Sequence, residues 1–308
     1  MNHLLHFHPE VQAALANGEP LVALESTVIT HGLPYPSNVE TAVSMETAVR
    51  SGGAIPATIA IIQGQLHVGL NRDQLEYLAT RPDANAYVRK CSRRDLPLVL
   101  ARGEDGATTV AGTMIVAHLA GIELFATGGI GGVHRGHPFD VSADLSELGR
   151  TPVTVVSSGA KSILDLPATR EVLETNGVAV IGYQTDELPA FFSRSSGLAV
   201  DARLDTPAEA AALIIARREL GLQSGTLITA PAPAEAAMDE DEAEAAIAQA
   251  TREADEHGIH GPAATPWLLR RVVELTSGRS LQANTALLQN NGRIAATIAV
   301  ALAAAKNL

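Results

Sequence analysis

Cysteine is nearly absent from this sequence. Cys91 stands alone among 308 residues, which excludes an internal disulfide framework and a cysteine-rich zinc site. Long apolar runs are missing too. The longest, around Ile294 to Ala305, is shorter than the roughly 20 residues that span a bilayer. The opening residues MNHLLHFHPE carry neither a basic stretch nor an apolar run of signal-peptide length. Nor is there a basic cluster: 34 acidic against 22 basic residues give a net charge of −12. Counterion release from nucleic acid therefore has no footprint, and an anionic membrane surface would repel the chain. These absences predict a cytoplasmic protein without a nucleic-acid or membrane partner. An anionic small-molecule substrate requires a local positive pocket.

The scarcest charged residue is lysine. Of the 22 basic residues only Lys90, Lys161 and Lys306 are lysine, and the other 19 are arginine. Nucleotide composition favouring arginine codons accounts for the imbalance, and against it a retained lysine is a candidate for chemistry. Arginine replaces lysine as a surface charge, but a guanidinium cannot lose a proton and attack a carbonyl. Lys306 sits on the tail and reads as incidental. Lys90 and Lys161 lie among dense motifs.

With 46% apolar residues the chain can bury a large core. LVALE (Leu21–Glu25), Thr58–Ile62, Leu98–Ala101, Glu123–Thr127, Val153–Ser157, Val178–Gly182 and Thr226–Ala230 read as strands. Several are continuously apolar, the pattern of a sheet covered on both faces. Between them lie helical segments over Ser37–Gly52, Thr108–Leu119, Pro207–Leu220, Asp239–His257, Thr265–Leu275 and from Leu281 onward. Ser37 and Glu40 have the spacing of a capping box. Strands alternating with helices predict a three-layer α/β/α sandwich around a largely parallel central sheet. No linker or repeat interrupts it, so residues 1–308 read as one domain.

The polar motifs fall where apolar strands end, where open α/β sheets place ligands. Glu25 finishes LVALE and is a candidate proton donor. Its alternative is a carboxylate hydrogen-bonded to the next loop. FATGGIGGVHRG sets four glycines, 128, 129, 131 and 132, after a strand. It lacks both the dinucleotide-binding spacing and the Gly-Lys-Ser/Thr of a P-loop. His134 beside these glycines is a candidate site residue. FDVSADL offers Asp140 and Asp144 to a hard cation such as Mg²⁺ or Mn²⁺, with helix-capping aspartates as the plain alternative. Lys161 emerges just past Val153–Ser157, where an apolar surround favours the neutral, nucleophilic amine. RKCSRRDLP surrounds Lys90 with basic charge that suits a phosphate. GATTVAGT sets small residues and two hydroxyls at a helix start, a ready anion site.

Together ALESTVITHGLPYPSN, KCSRRDLP, GATTVAGTM, FATGGIGGVHRG, FDVSADL, GAKSILDLPATREVLET, VIGYQTDELPAFF, TPWLLRRVVELTSGRSLQAN and LLQNN resemble the pseudouridine-5′-phosphate glycosidase family, also called indigoidine-synthase-A-like. The ordered set covers about residues 21 to 291. The resemblance implies reversible cleavage of the C–C glycosidic bond of pseudouridine 5′-phosphate with water, giving uracil and ribose 5-phosphate. It implies a divalent metal, typically Mn²⁺, and a homotrimer. By motif, Glu25 is the proton donor and Lys161 the nucleophile that forms an imine with ring-opened ribose. Asp140 is the metal ligand. Lys90, Val110, Ser142, Ala143 and Asp144 contact substrate. A C-glycoside has no leaving heteroatom, so the paired-carboxylate route is poorly suited. An imine route needs a neutral amine, an acid for the ring oxygen and stabilisation of charge on uracil. Two departures from the family pattern touch the expected substrate region: TAPAPAE, with Ala230 where many relatives have asparagine, and the short HRGHPFD loop. A metal-dependent aldolase or isomerase on a related sugar phosphate is the neighbouring reading, and a non-catalytic sugar-phosphate binder the reading from another class.

Overall fold

The apolar run at Leu21–Leu24 forms a strand buried along its whole length, and its neighbours repeat the pattern. In the computed structural model, which describes residues 3–81, 87–259, 261 and 264–306, it lies inside an 11-stranded sheet. From one edge to the other the strands are Leu5–Phe7, Gln65–Val68, Ile55–Ile62, Leu21–Leu24, Leu124–Ala126, Thr154–Ser157, Thr226–Thr229, Ala179–Tyr183 and Ala202–Leu204. The short strands Arg89–Cys91 and Gly106–Thr108 branch from Ile55–Ile62. Pairing is parallel except where Ile55–Ile62 meets Gln65–Val68 and Gly106–Thr108. Thr154–Ser157 and Thr226–Thr229 are also buried at every position, as a sheet packed on both faces requires.

Helices Ser37–Ser51, Pro207–Glu219 and Arg279–Lys306 cover one face, and Val110–Ala120, Ala143–Leu148 and Leu166–Thr175 pack on the other side. The result is the α/β/α arrangement. A separate three-stranded antiparallel sheet, Val133–His134, His137–Val141 and Leu164–Asp165, stands at one end. Among the described residues no helix is long and apolar enough to cross a membrane.

Three local expectations are corrected. Leu98–Ala101 is not a strand but part of the helix Leu96–Arg102, with Pro97 in its first turn and Gly103 closing it in the left-handed conformation. A proline that pre-sets φ at a helix start and a glycine just past its end outweigh the apolar run. Ser37 is inside its helix, and the capping residue is Pro36, with no side-chain cap bond. The Ala-rich helix starts at Val110 because Thr108 belongs to a strand and Thr109 caps the helix, accepting from Gly112 N.

Candidate active site

From Leu21–Leu24 the chain passes to Ile55–Ile62 on one side, whereas Leu124–Ala126, on its other side, leads away to Thr154–Ser157. Connections that diverge from two adjacent parallel strands leave a crevice beyond their C-terminal ends. A cavity of about 890 Å³ lies there. Glu25, Lys90, Val110, Asp140, Ser142, Ala143, Asp144 and Lys161, far apart in the chain, all line it, together with His134.

Glu25 follows the last residue of its strand, and its carboxylate accepts from the Thr27 and Thr127 hydroxyls. Thr127 follows the last residue of the adjacent strand, so the two strand ends at the divergence point are joined through this carboxylate. The chain then makes a single π-helical turn, Val28–Gly32, a distortion found often at functional sites. This turn carries His31 to the cavity wall, 2.6 Å from the Thr30 hydroxyl. Burial pushes the His31 imidazole down to about 4, aided by the Lys90 charge, so it is neutral at ordinary pH.

Lys161 reaches back to the glycine loop, donating from Nζ to the Gly129 carbonyl at 2.6 Å. Burial holds the Lys90 ammonium below its ordinary range. The positive charge of Lys161 adds to the effect, and Asp144 and Glu25 oppose it. Two lysines and two carboxylates thus act on one another inside one cavity. Gly129 has no room for a side chain: a Cβ there would lie 2.7 Å from the Phe191 ring. Phe191 itself, at φ 65, occupies the left-handed region that bulky residues avoid. Such strain collects where surroundings hold a residue for function, and its ring forms part of the cavity wall.

Asp144 is buried, with Oδ1 accepting from Ala111 N and Oδ2 from Gly131 N, both at 2.9 Å. The anion at the start of helix Val110–Ala120 is therefore the chain's own carboxylate. The two hydroxyls of GATTV are engaged as well, Thr108 with the Ile59 carbonyl at 2.8 Å and Thr109 with the Cys91 carbonyl at 3.1 Å. Ser142 caps the helix Ala143–Leu148 and accepts from Asp144 N. Arg93 is held by the buried Glu147 at 2.6 and 2.7 Å, while the Arg94 side chain remains 83% exposed. Arg135 is spent on Ser162, Leu164 and Glu244 outside the cavity.

Asp140 differs from the other acidic groups around the cavity. Among the described residues no side chain or backbone N–H hydrogen-bonds to its carboxylate, and its charge falls on His134. Burial, first, lowers the His134 imidazole below its ordinary value, and Asp140 works against that. One free carboxylate beside a neutral imidazole suits a cation that takes its remaining ligands from water and substrate. It does not suit an all-protein cage, and no group of three or more metal-binding side chains occurs among the described residues.

Residues 10–301 match the family described as indigoidine synthase A like protein. This chain belongs to that family. A pseudouridine-5′-phosphate glycosidase of Herpetosiphon aurantiacus is 59% identical over 296 residues, 96% of each chain. One of Paracoccus denitrificans is 57% identical over 98% of this chain and all of its own. Among solved structures, the prealnumycin C-glycosynthase AlnA in complex with ribulose 5-phosphate superposes with a TM-score of 0.90 at 42% identity, covering 100% of this chain and 99% of its own. An indigoidine synthase A-like protein of Thermotoga maritima gives 0.88 at 36% identity, covering 98% of each chain.

For a member of this family, Ala230 stands differently from the expectation drawn from TAPAPAE. It is buried and is not among the described residues lining the cavity. The shortened HRGHPFD segment does border it, through His134 and Asp140. Sequence reading missed His31, Thr127 and Phe191 as cavity residues. STVITHG and ELPAFF had been singled out, but which of their side chains turns inward depends on a π turn and a left-handed backbone, neither of which leaves a periodic signal.

Proposed function

We propose that this chain is a pseudouridine-5′-phosphate glycosidase that cleaves the C–C glycosidic bond with water, releasing uracil and ribose 5-phosphate. What supports the reading is the meeting of Glu25, Lys161, Lys90 and Asp140 in one cavity, in a chain 59% identical to a relative of that name. Glu25 gives a proton to the ribose ring oxygen. The Lys161 amine, freed from the Gly129 carbonyl, adds at the carbon that carries the base as that carbon's bond to the protonated ring oxygen breaks, which opens the ribose and leaves a hydroxyl. The new C–N nitrogen then loses a proton and regains its lone pair. As the C–C bond breaks, the nitrogen lone pair forms the C=N bond and the bonding electrons pass to the uracil ring, which takes up a proton. Water then releases the sugar from Lys161.

Lys90 holds substrate oxygens and adds positive charge beside the nucleophile. The basic segment Arg89–Arg94 at the cavity edge supplies the positive field for the phosphate. Asp140, with His134, would hold a divalent metal, Mn²⁺ being the best match. When bound, such an ion neutralises developing negative charge on substrate oxygens. The chain works in the cytoplasm as one catalytic domain and assembles as a homotrimer. Phe139, 99% exposed on the strand that bears Asp140, is an apolar surface for that contact. Mixing purified protein, Mn²⁺ and pseudouridine 5′-phosphate should release uracil. An intact substrate after prolonged incubation with Mn²⁺ or Mg²⁺ would overturn the assignment.

A further inference from the structure

LLQNN was singled out in the sequence, yet none of its residues has a part in the chemistry above. Asn291, its last residue, sits on the long helix Arg279–Lys306 and is completely buried. Its amide points at the sheet instead of the helix layer. Nδ2 donates to the Thr127 carbonyl at 2.9 Å, with the Gly128 carbonyl at 3.4 Å and the Ser158 hydroxyl at 3.2 Å. Ser158 Oγ in turn lies 3.4 Å from Oδ1.

These partners begin the two loops that carry the chemistry. Thr127 holds Glu25 through its hydroxyl, and Ser158 opens the segment that ends in Lys161. The loops are zipped to each other above the amide: Ser158 N donates to Gly128 O at 2.8 Å, Ile130 N to Gly159 O at 3.0 Å, and Lys161 N to Ile130 O at 3.1 Å. A buried amide that joins the carbonyls at the foot of one loop to the Ser158 hydroxyl at the foot of the other sets where the acid arm stands relative to the lysine arm.

We propose that Asn291 is a positioning residue for this reaction, fixing the Glu25 and Lys161 loops relative to each other from the opposite layer of the fold. The claim rests on the assignment of acid and nucleophile to those two residues, but half of its test does not. Misplacement of reacting groups by about an ångström costs on the order of 100-fold in rate. Asn291→Ala should therefore lower kcat by about 10–100-fold with KM within about 2-fold of wild type, because no substrate contact is removed.

Arg217→Met is the control. Arg217 is buried at the opposite end of the strand that leads to Lys161 and of its neighbour Thr226–Thr229, bonded to Thr154, Thr226 and the Pro152 carbonyl, so its loss destabilises the sheet without touching either loop. Hydrogen exchange supplies the readout that needs no turnover. Asn291→Ala should speed exchange at the amides of Ser158, Ile130 and Lys161, and Arg217→Met should not. Unchanged exchange at those amides overturns the inference even if the substrate proves to be another sugar phosphate. So does a kcat in Asn291→Ala no lower than in Arg217→Met, or a loss that appears in KM alone.

Discussion

Lys161 and Lys90 show how one residue type takes two roles through its surroundings. Lys161 is tied to a backbone carbonyl that substrate can displace, while Lys90 is held below its ordinary range by burial and by the Lys161 charge, against the charges of Asp144 and Glu25. Lys161→Arg keeps the positive charge but cannot form an imine, so turnover should be almost abolished with binding partly retained. Lys90→Arg should act more mildly and chiefly on KM; steady-state kinetics on the two variants separates the roles. Glu25→Gln keeps the shape between Thr27 and Thr127 and loses the transferable proton, which should cost about 10²–10⁴-fold in kcat. His31 makes a pH prediction. Its imidazole titrates near 4 in the folded protein against an ordinary 6.5, so the unfolded chain binds a proton that the folded one does not. Its contribution is whole above about pH 6.5 and is lost as pH falls toward 4. His31→Asn should lose less stability than wild type between neutral pH and about pH 5, as read from urea midpoints.

The glycine loop and the helix start at Val110 work as one unit because Asp144 binds both. Gly131→Ala tests that unit. The new Cβ would overlap Ser142 Oγ and lie 2.6 Å from Ser142 Cβ and 2.8 Å from Asp144 Oδ2. The loop must shift, at about 1–3 kcal/mol as for other overpacked sites, and turnover should fall with it; thermal unfolding and uracil release measure the two effects. Elements of this kind were partly legible. Buried strands such as Leu21–Leu24 announce themselves by unbroken apolar runs, and the motif positions follow because parallel strands all end on one side. Leu96–Arg102 was misread because a short apolar run suits strand and buried helix equally. The three-residue strands Arg89–Cys91 and Gly106–Thr108 are too short for any period. Asn291 was named only inside a motif, since its role depends on contacts with residues 164 and 133 positions away.

At the scale of the whole molecule, the divergence of strand connections explains why so many separated motifs converge. Each strand delivers the residues just past its end to one crevice: Glu25 from one, Thr127 and the glycines from the next, Lys161 beyond the third. The strand His137–Val141 of the separate three-stranded sheet brings Asp140 to the cavity wall. Asp140→Asn should therefore weaken Mn²⁺ binding and abolish metal-stimulated turnover without lowering the melting temperature; calorimetric titration with Mn²⁺ alone checks the binding half. Sedimentation equilibrium should find three 32.1 kDa chains per particle. The account stands or falls on a covalent bond between Lys161 and the sugar. Borohydride added during turnover of pseudouridine 5′-phosphate, followed by peptide mass mapping, measures it directly. The account predicts a reduced ribose-phosphate adduct on the peptide containing Lys161 and its absence in Lys161→Arg. An adduct on Lys90, or uracil release with no trapped lysine at all, would contradict it.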